Sequence, residues 1–230
     1  MSRKFGMISR YRTLADLPAP NAATQALPKD RRGRFEICVV DDQSFDAGRN
    51  LRNYGYRFSE IGDLKNIEEV AGFPIVLCDL MGVGLNFDDR KQGATLIREI
   101  KHNYPSIMVA AYSGASASSE QAKTAIALAD KFIKKDADYE TWTQTLDSLI
   151  SDASDQRKIW MRVRKSLVDD GIDTKVLLML EDAYVTSILS GKSGFTMLTD
   201  VASKRGLSKF ALDVVNGLVS SVIFRAMTGS

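Results

Sequence analysis

The chain has 230 residues, 44% of them hydrophobic and 26% charged, with a formal net charge of +2. These proportions are ordinary for a soluble globular protein. No apolar run approaches the ~20 residues that span a bilayer. The basic N-terminus lacks the apolar core of a secretion signal, and two cysteines with a single histidine argue against a zinc site. A cytoplasmic protein with two reduced core thiols, Cys38 and Cys78, is the expectation.

Charge divides the sequence into three. Residues 1–34 hold 8 Lys/Arg against 2 Asp/Glu, residues 35–155 hold 12 against 20, and residues 156–230 hold 11 against 7. The basic extension, 1–34, carries a short apolar stripe through Met7, Ile8, Tyr11, Leu14 and Leu17 that Pro18 and Pro20 stop. A flexible arm or a strap over the domain is expected there.

From residue 35 strands and helices alternate. Phe35–Val40 reads as a strand, Phe45–Tyr54 as a helix closed by Gly55, and Tyr56–Ile61 as a weaker strand. Asp63–Ala71 reads as a short helix, Ile75–Cys78 as the third strand, and Ala94–Tyr104 as a helix closed by Pro105. Ile107–Tyr112 is the fourth strand, Ser118 with Gln121 suggests a capping box for the next helix, and Lys131–Lys134 is a short fifth strand before a helix opened by Tyr139. Five alternations predict a parallel sheet covered on both faces. Sites in such sheets form at the C-terminal ends of strands. Those ends deliver Asp41 and Asp42, Asp79, Ser113 and Lys135. Taken singly, each has a structural explanation: a helix cap for either early aspartate, a turn for Ser113-Gly114, a solvated pair for Lys134-Lys135. Together, three carboxylates, a hydroxyl and a lysine suit a pocket for a divalent cation and a phosphoryl group.

The fragments Val39-Val40-Asp41-Asp42, Cys78-Asp79-Leu80-Met81, Tyr112-Ser113-Gly114 and Phe132-Ile133-Lys134-Lys135 resemble the receiver domain of two-component response regulators. The resemblance implies a flavodoxin-like, doubly wound α/β fold with a five-stranded parallel sheet over residues 35–153, followed by a small all-α region at 154–230. It implies that Asp79 is a phosphoacceptor. Asp42, Asp79 and the backbone carbonyl of Met81 would ligate Mg²⁺, with Asp41 acting mainly through water. Lys135 and Ser113 would contact the phosphoryl group, and Phe132 would be a switch aromatic. A histidine kinase or a phosphotransfer protein would be the donor, in a bacterial phosphorelay. The domain would catalyse its own phosphorylation and slow dephosphorylation without being a turnover enzyme.

Three departures stand out. Asp136 follows the lysine where receivers usually carry proline, so a trans peptide is expected. The loop Gly82–Gly93 is long, with Asp88 and Asp89 at its tip, and either gates access to the acceptor, chooses the partner or is a solvated excursion. The hydroxyl belongs to serine rather than the commoner threonine.

The C-terminal region is harder to read. The Tyr139 helix either runs on or restarts as Gln156–Val168, with Ile159, Trp160, Val163 and Leu167 apolar and Arg157, Lys158, Arg162, Arg164 and Lys165 basic. A helix over Asp173–Leu189 follows. Residues 198–217 resemble a helix-turn-helix, but Arg205 stands where an apolar residue is expected, and the second helix, Ser208–Met227, is too apolar for a groove reader. A helical module that binds a protein or pairs two protomers is the leading expectation. A DNA-binding regulator, or a receiver-like scaffold that never takes phosphate, are the alternatives.

Overall fold

The computed structural model describes residues 11–18, 27–88, 90–114, 120–190 and 194–221. A short helix α1 (Lys29–Arg32) leads into β1 (Glu36–Val40), α2 (Gly48–Asn53), β2 (Arg57–Ile61), β3 (Ile75–Asp79), α3 (Gly93–Asn103), β4 (Met108–Ser113), α4 (Glu120–Leu128), β5 (Lys131–Lys134) and α5 (Tyr139–Ser154). The chain continues as α6 (Gln156–Asp169), α7 (Thr174–Ser190), α8 (Gly194–Lys204) and α9 (Lys209–Ser220).

The five strands form one parallel sheet in the order β2-β1-β3-β4-β5. This is the flavodoxin-like doubly wound order. Every residue of β3 and β4 is buried, as expected of central parallel strands covered on both faces. Pleating splits the strand residues between two cores. Ile37, Val39, Ile75 and Leu77 face Leu51 of α2 and Trp142, Leu146 and Leu149 of α5. Cys38, Val40, Val76 and Cys78 face Leu96, Ile97 and Ile100 of α3 and Ala122 and Ala125 of α4. Both cysteines are unpaired and buried; burial raises the Cys38 thiol pKa to about 12 and Cys78 well above the ordinary thiol value. Such thiols are inert.

Two expected helices contract. The first, predicted from Phe45, forms only over Gly48–Asn53. Phe45 is instead a plug in the core, edge-on to Phe58, Tyr112 and Trp142, and its N–H donates to Glu60 Oε2. The helix predicted over Asp63–Ala71 is a single 3₁₀ turn, Ile67–Val70, capped reciprocally by Asn66 and Glu69. The Asp63 carboxylate is drawn away to the N–H groups of Gly84 and Leu85, so it does not start a helix. The Ser118–Gln121 capping box lies outside the described residues.

The N-terminal stretch behaves as a strap where it is described. Leu17 and Leu27 are buried, the N–H groups of Arg12 and Leu14 donate to Asp182 and Glu181 of α7, and Arg157 of α6 donates to the Leu17 carbonyl. Arg32 is also buried, held by Asp147 of α5 through Nε at 2.8 Å and Nη2 at 2.7 Å. The same carboxylate accepts from Tyr56 and from the Leu27 N–H. Met7 and Ile8 lie outside the described residues.

Helix α5 stops at Ser154. Asp155 is extended (φ −79°, ψ 107°), and its carboxylate caps α6 by accepting from the N–H groups of Arg157 and Lys158. Of the two readings of this junction, the restart is the one that forms. The larger core passes through the break without interruption, from Trp142 and Leu149 to Trp160, Leu180, Tyr184, Val215 and Leu218. Trp160 stacks on Tyr184 (5.1 Å, 22°) and donates its indole N–H to Glu181. Helix α9 packs against α8, α6 and α3. It buries Ala211, Val214, Val215, Leu218 and Val219 and ends at Ser220, where Ser221 turns extended (φ −63°, ψ 141°), so the unbroken helix expected over Ser208–Met227 stops there; residues 222–227 lie outside the described residues. No described helix is long and apolar enough to cross a membrane.

Candidate functional site

The strand order places β1 and β3 side by side, with β4 and β5 following, so the C-terminal ends of four strands share one edge. Asp41, just past β1, is buried. Its Oδ1 accepts from the Gln43 N–H (2.9 Å); its Oδ2 accepts from the Tyr112 hydroxyl (2.5 Å) and from Lys135 Nζ (3.1 Å). Asp79 closes β3 and is 3% exposed. Its Oδ1 accepts from the Leu80 N–H and its Oδ2 from Lys135 Nζ, both at 2.7 Å. Asp42 is exposed, and carboxylate oxygens of Asp41, Asp42 and Asp79 lie within 4.8 Å of one another.

Three carboxylates at that spacing repel by about 3 kcal/mol per pair at an effective dielectric near 20. Lys135 supplies one countercharge and leaves a deficit of two, the charge of one divalent cation. Burial raises the Asp79 pKa above its usual value; the Lys135 hydrogen bond and charge pull the other way, while the Asp41 charge adds to the rise. For Lys135, burial lowers the pKa, but hydrogen bonds to Asp79 and Asp41 outweigh it and the net shift is upward.

An open cleft of about 300 Å³ is lined by Asp42, Asp79, Met81, Ser113 and Lys135, together with Gln43, Gly82 and Gly114. Ser113, at the end of β4, is buried, and its carbonyl accepts from the Lys135 N–H (3.0 Å), which fixes the start of the loop bearing the ammonium. No cis peptide occurs among the described residues, so the Lys135–Asp136 bond is trans. Phe132 is half-buried at the edge of the core on the α3/α4 side, beside Ala111 in the β4–β5 register, and does not line the cleft.

The long loop after Asp79 is tied down. Gly84 and Leu85 donate to Asp63, Asn86 donates to the Leu64 carbonyl, and the Gly82 N–H donates to Gln92 Oε1. Asp88 is half-buried and caps the N–H groups of Arg90 and Lys91; Asp89 lies outside the described residues. Gly82 has φ +77°, and a Cβ there would overlap the Asp42 carboxylate. Gln92 holds the left-handed φ of +48° that side chains disfavour, at the entrance to α3. A Cβ on Gly93, the next residue, would overlap the Asp79 carbonyl. The Asp79 backbone and the first turn of α3 are therefore in direct contact.

The donors present fit Mg²⁺: hard oxygens only, one or two carboxylates at the cleft, and room for water and phosphate oxygen. Strand order and covered faces decide the fold class. Residues 36–154 have the flavodoxin-like doubly wound fold.

No protein-family model matches the chain, and no curated protein matches it. Solved structures of receiver domains do match its N-terminal half. A receiver domain protein from Methanospirillum hungatei is 19% identical, covering 50% of this chain and 95% of its own at a TM-score of 0.38. The response regulator TrrA from Thermotoga maritima, solved with Mg²⁺ and BeF, is 18% identical over 50% of this chain and 98% of its own, at 0.39. A response regulator from Burkholderia pseudomallei, solved with a phosphorylated aspartate, calcium and citrate, is 17% identical over 78% of this chain and 97% of its own, at 0.40.

The receiver-type domain holds contributors that sequence reasoning missed. Gln43, Asp63 and Gln92 orient the loops around the acids, and the Tyr112 hydroxyl grips Asp41. Only Tyr112 had a readable signal: a tyrosine inside a fully apolar strand needs a partner for its hydroxyl.

Proposed function

We propose that this chain is a response regulator of a two-component phosphorelay, accepting a phosphoryl group on Asp79. The observation that carries the reading is the buried Asp79 carboxylate at 2.7 Å from Lys135, with Asp41 and Asp42 beside it at an open cleft. Asp42, Asp79 and the Met81 carbonyl would hold Mg²⁺, with Asp41 reaching it through water. When bound, the ion would offset the repulsion between carboxylate and phosphoryl oxygens.

A carboxylate oxygen of Asp79 attacks phosphorus. The bond from phosphorus to the donor breaks, and its electron pair leaves with the donor, the imidazole nitrogen of a phosphohistidine on a kinase or phosphotransfer protein. Lys135 holds Asp79 in place and offers its ammonium to the transferred oxygens. Ser113 lines the cleft, and its hydroxyl would donate to the same group. The product is an aspartyl phosphate. The chain is its own substrate, hydrolyses the product slowly, and is not a turnover enzyme.

For the output, a protein-binding or dimerising role of the C-terminal helices has more support than DNA binding. On α6, Arg157 and Arg162 donate to the carbonyls of Leu17 and Ser106, and Lys158 and Lys165 pair with Asp152 and Asp169. On α9, the exposed positions are Lys209, Asp213, Asn216 and Ser220, with no net charge for a phosphate backbone to attract. A cytoplasmic setting accords with the two unpaired, buried thiols.

Incubation with Mg²⁺ and a small phosphodonor such as phosphoramidate tests the proposal. Intact mass should rise by one phosphoryl group, and the gain should vanish in Asp79→Asn and with chelator present. An unchanged mass in the wild-type protein would favour the phosphate-independent scaffold. Tight, salt-sensitive duplex binding that improves on phosphorylation would favour the DNA-binding regulator.

A further inference from the structure

Tyr112 stands opposite Asp79 in the β3–β4 register, so both side chains leave the sheet on the same face. Its ring is 1% exposed and wedged edge-on between Phe45 (5.7 Å, 71°) and Trp142 (6.1 Å, 67°). A ring clamped in this way presents its hydroxyl at one place, and that place is Asp41 Oδ2 at 2.5 Å.

Acceptor counting gives this contact its meaning. A carboxylate offers about four lone-pair positions. On Asp41, Oδ2 serves both Tyr112 and Lys135, and Oδ1 serves the Gln43 N–H. One position remains, on Oδ1. Without the phenol, Oδ2 would be held by Lys135 alone, and that lysine also serves Asp79 at the shorter distance of 2.7 Å. The carboxylate would then be held only by Lys135 and the Gln43 N–H, and Oδ2 would have a position open to ligate a cation directly.

Building on the reading of Asp79 as a Mg²⁺-dependent acceptor, we propose that Tyr112 is a positioning residue of the cation site. It fixes the Asp41 carboxylate so that Oδ1 alone serves a cation-bound water, and it shares with Lys135 the task of holding Oδ2. Groups that orient metal-site carboxylates typically change metal affinity about 10- to 100-fold when removed.

The test uses the full chain and its Tyr112→Phe variant, which keeps the ring and its packing. Calorimetric titration with Mg²⁺ alone should show the dissociation constant shifted by roughly tenfold. In the Asp41→Asn background, Tyr112→Phe should produce no further shift, because the partner carboxylate is gone. A merely structural tyrosine would lower the unfolding midpoint and leave Mg²⁺ affinity unchanged in both backgrounds, which overturns the proposal. Should the phenylalanine variant not fold, the wild-type near-UV tyrosine band decides: it should shift at the Mg²⁺ concentration that half-saturates the calorimetric signal, and an unmoved band overturns the proposal. A wild-type chain that binds no Mg²⁺ and takes no phosphoryl group would defeat the proposed function itself. Wild-type binding and phosphorylation with an unshifted variant would defeat only the role of Tyr112.

Discussion

His102, near the end of α3, stacks face to face on Phe210 of α9, with ring centroids 4.5 Å apart and planes inclined by 21°. Close by, a Cβ on Gly217 would lie 3.3 Å from the Tyr104 ring. The far end of α3 starts at Gly93, against the Asp79 carbonyl. One eleven-residue helix therefore touches the end of β3 at one end and the C-terminal helices at the other. Replacing Phe210 with alanine should cost about 1 kcal/mol beyond the area it uncovers. Hydrogen exchange should quicken in α9 before the sheet. Equal protection of α9 in variant and wild type would show that the stack does not hold the helix down.

The buried ion pair between Arg32 and Asp147 has side chains only 9% and 11% exposed. Removing one partner strands the other, so Asp147→Ala should destabilise by about 3–5 kcal/mol. Replacing both with apolar residues of similar volume should recover much of that loss. Denaturant unfolding of the single and double variants checks the ordering.

Buried tyrosines set an alkaline limit. Burial and the Asp147 hydrogen bond raise the Tyr56 pKa above the ordinary phenol value of 10.0; burial does the same to Tyr184, against the opposing charge of Arg162. The folded chain keeps these protons at a pH where the unfolded chain has lost them. Stability is thus fully present below about pH 10 and declines as pH rises through the unfolded-state value near 10. Tyr56→Phe should lower stability at neutral pH, since it gives up the Asp147 contact, but flatten the slope above pH 10. Unfolding curves between pH 8 and pH 11 should show the crossover, and parallel slopes in the two proteins would contradict it.

At the acid cluster, chemistry and stability oppose each other. The raised Asp79 pKa means the folded site disfavours the charged carboxylate that the proposed reaction needs. Asp79→Asn should therefore stabilise the Mg²⁺-free protein by about 1–2 kcal/mol, the relieved repulsion less the lost Lys135 contact. Added Mg²⁺ should raise the wild-type unfolding midpoint and do less for the variant. Thermal unfolding with chelator and with Mg²⁺ separates the two effects.

The centre of the sheet was readable because β1, β3 and β4 are apolar runs of the right length bounded by turn residues, as in Ile75–Asp79, whereas β2 and β5 at the edges carry charged residues and gave weaker signals. The convergence of Asp41, Asp42, Asp79, Ser113 and Lys135 then follows from strand order, a property of the whole sheet. Much of the remainder depends on long-range partners that periodicity does not encode. Asp63 gave up its place at a helix start because Gly84, 21 residues on, offers its N–H. Phe45 had the spacing of a helical residue but fills a hole between Phe58 and Trp142. The grip of Tyr112 on Asp41 spans 71 residues, and the docking of Phe210 on His102 joins regions whose charge patterns set them apart.

Asp155 gives the junction between α5 and α6 the character of a knuckle. A continuous helix would act as a lever, turning a small tilt at the sheet into a larger displacement of the tail. A single extended residue between two capped helices is a poor lever, because rotation about its backbone absorbs torque. Under the proposed function, a charge change at Asp79 would reach the tail by friction between packed surfaces, through α3 and through the core that crosses the break. A tail coupled in this way would answer to the grip of its contacts, and its response could be tuned from the outside of the fold without touching Asp79.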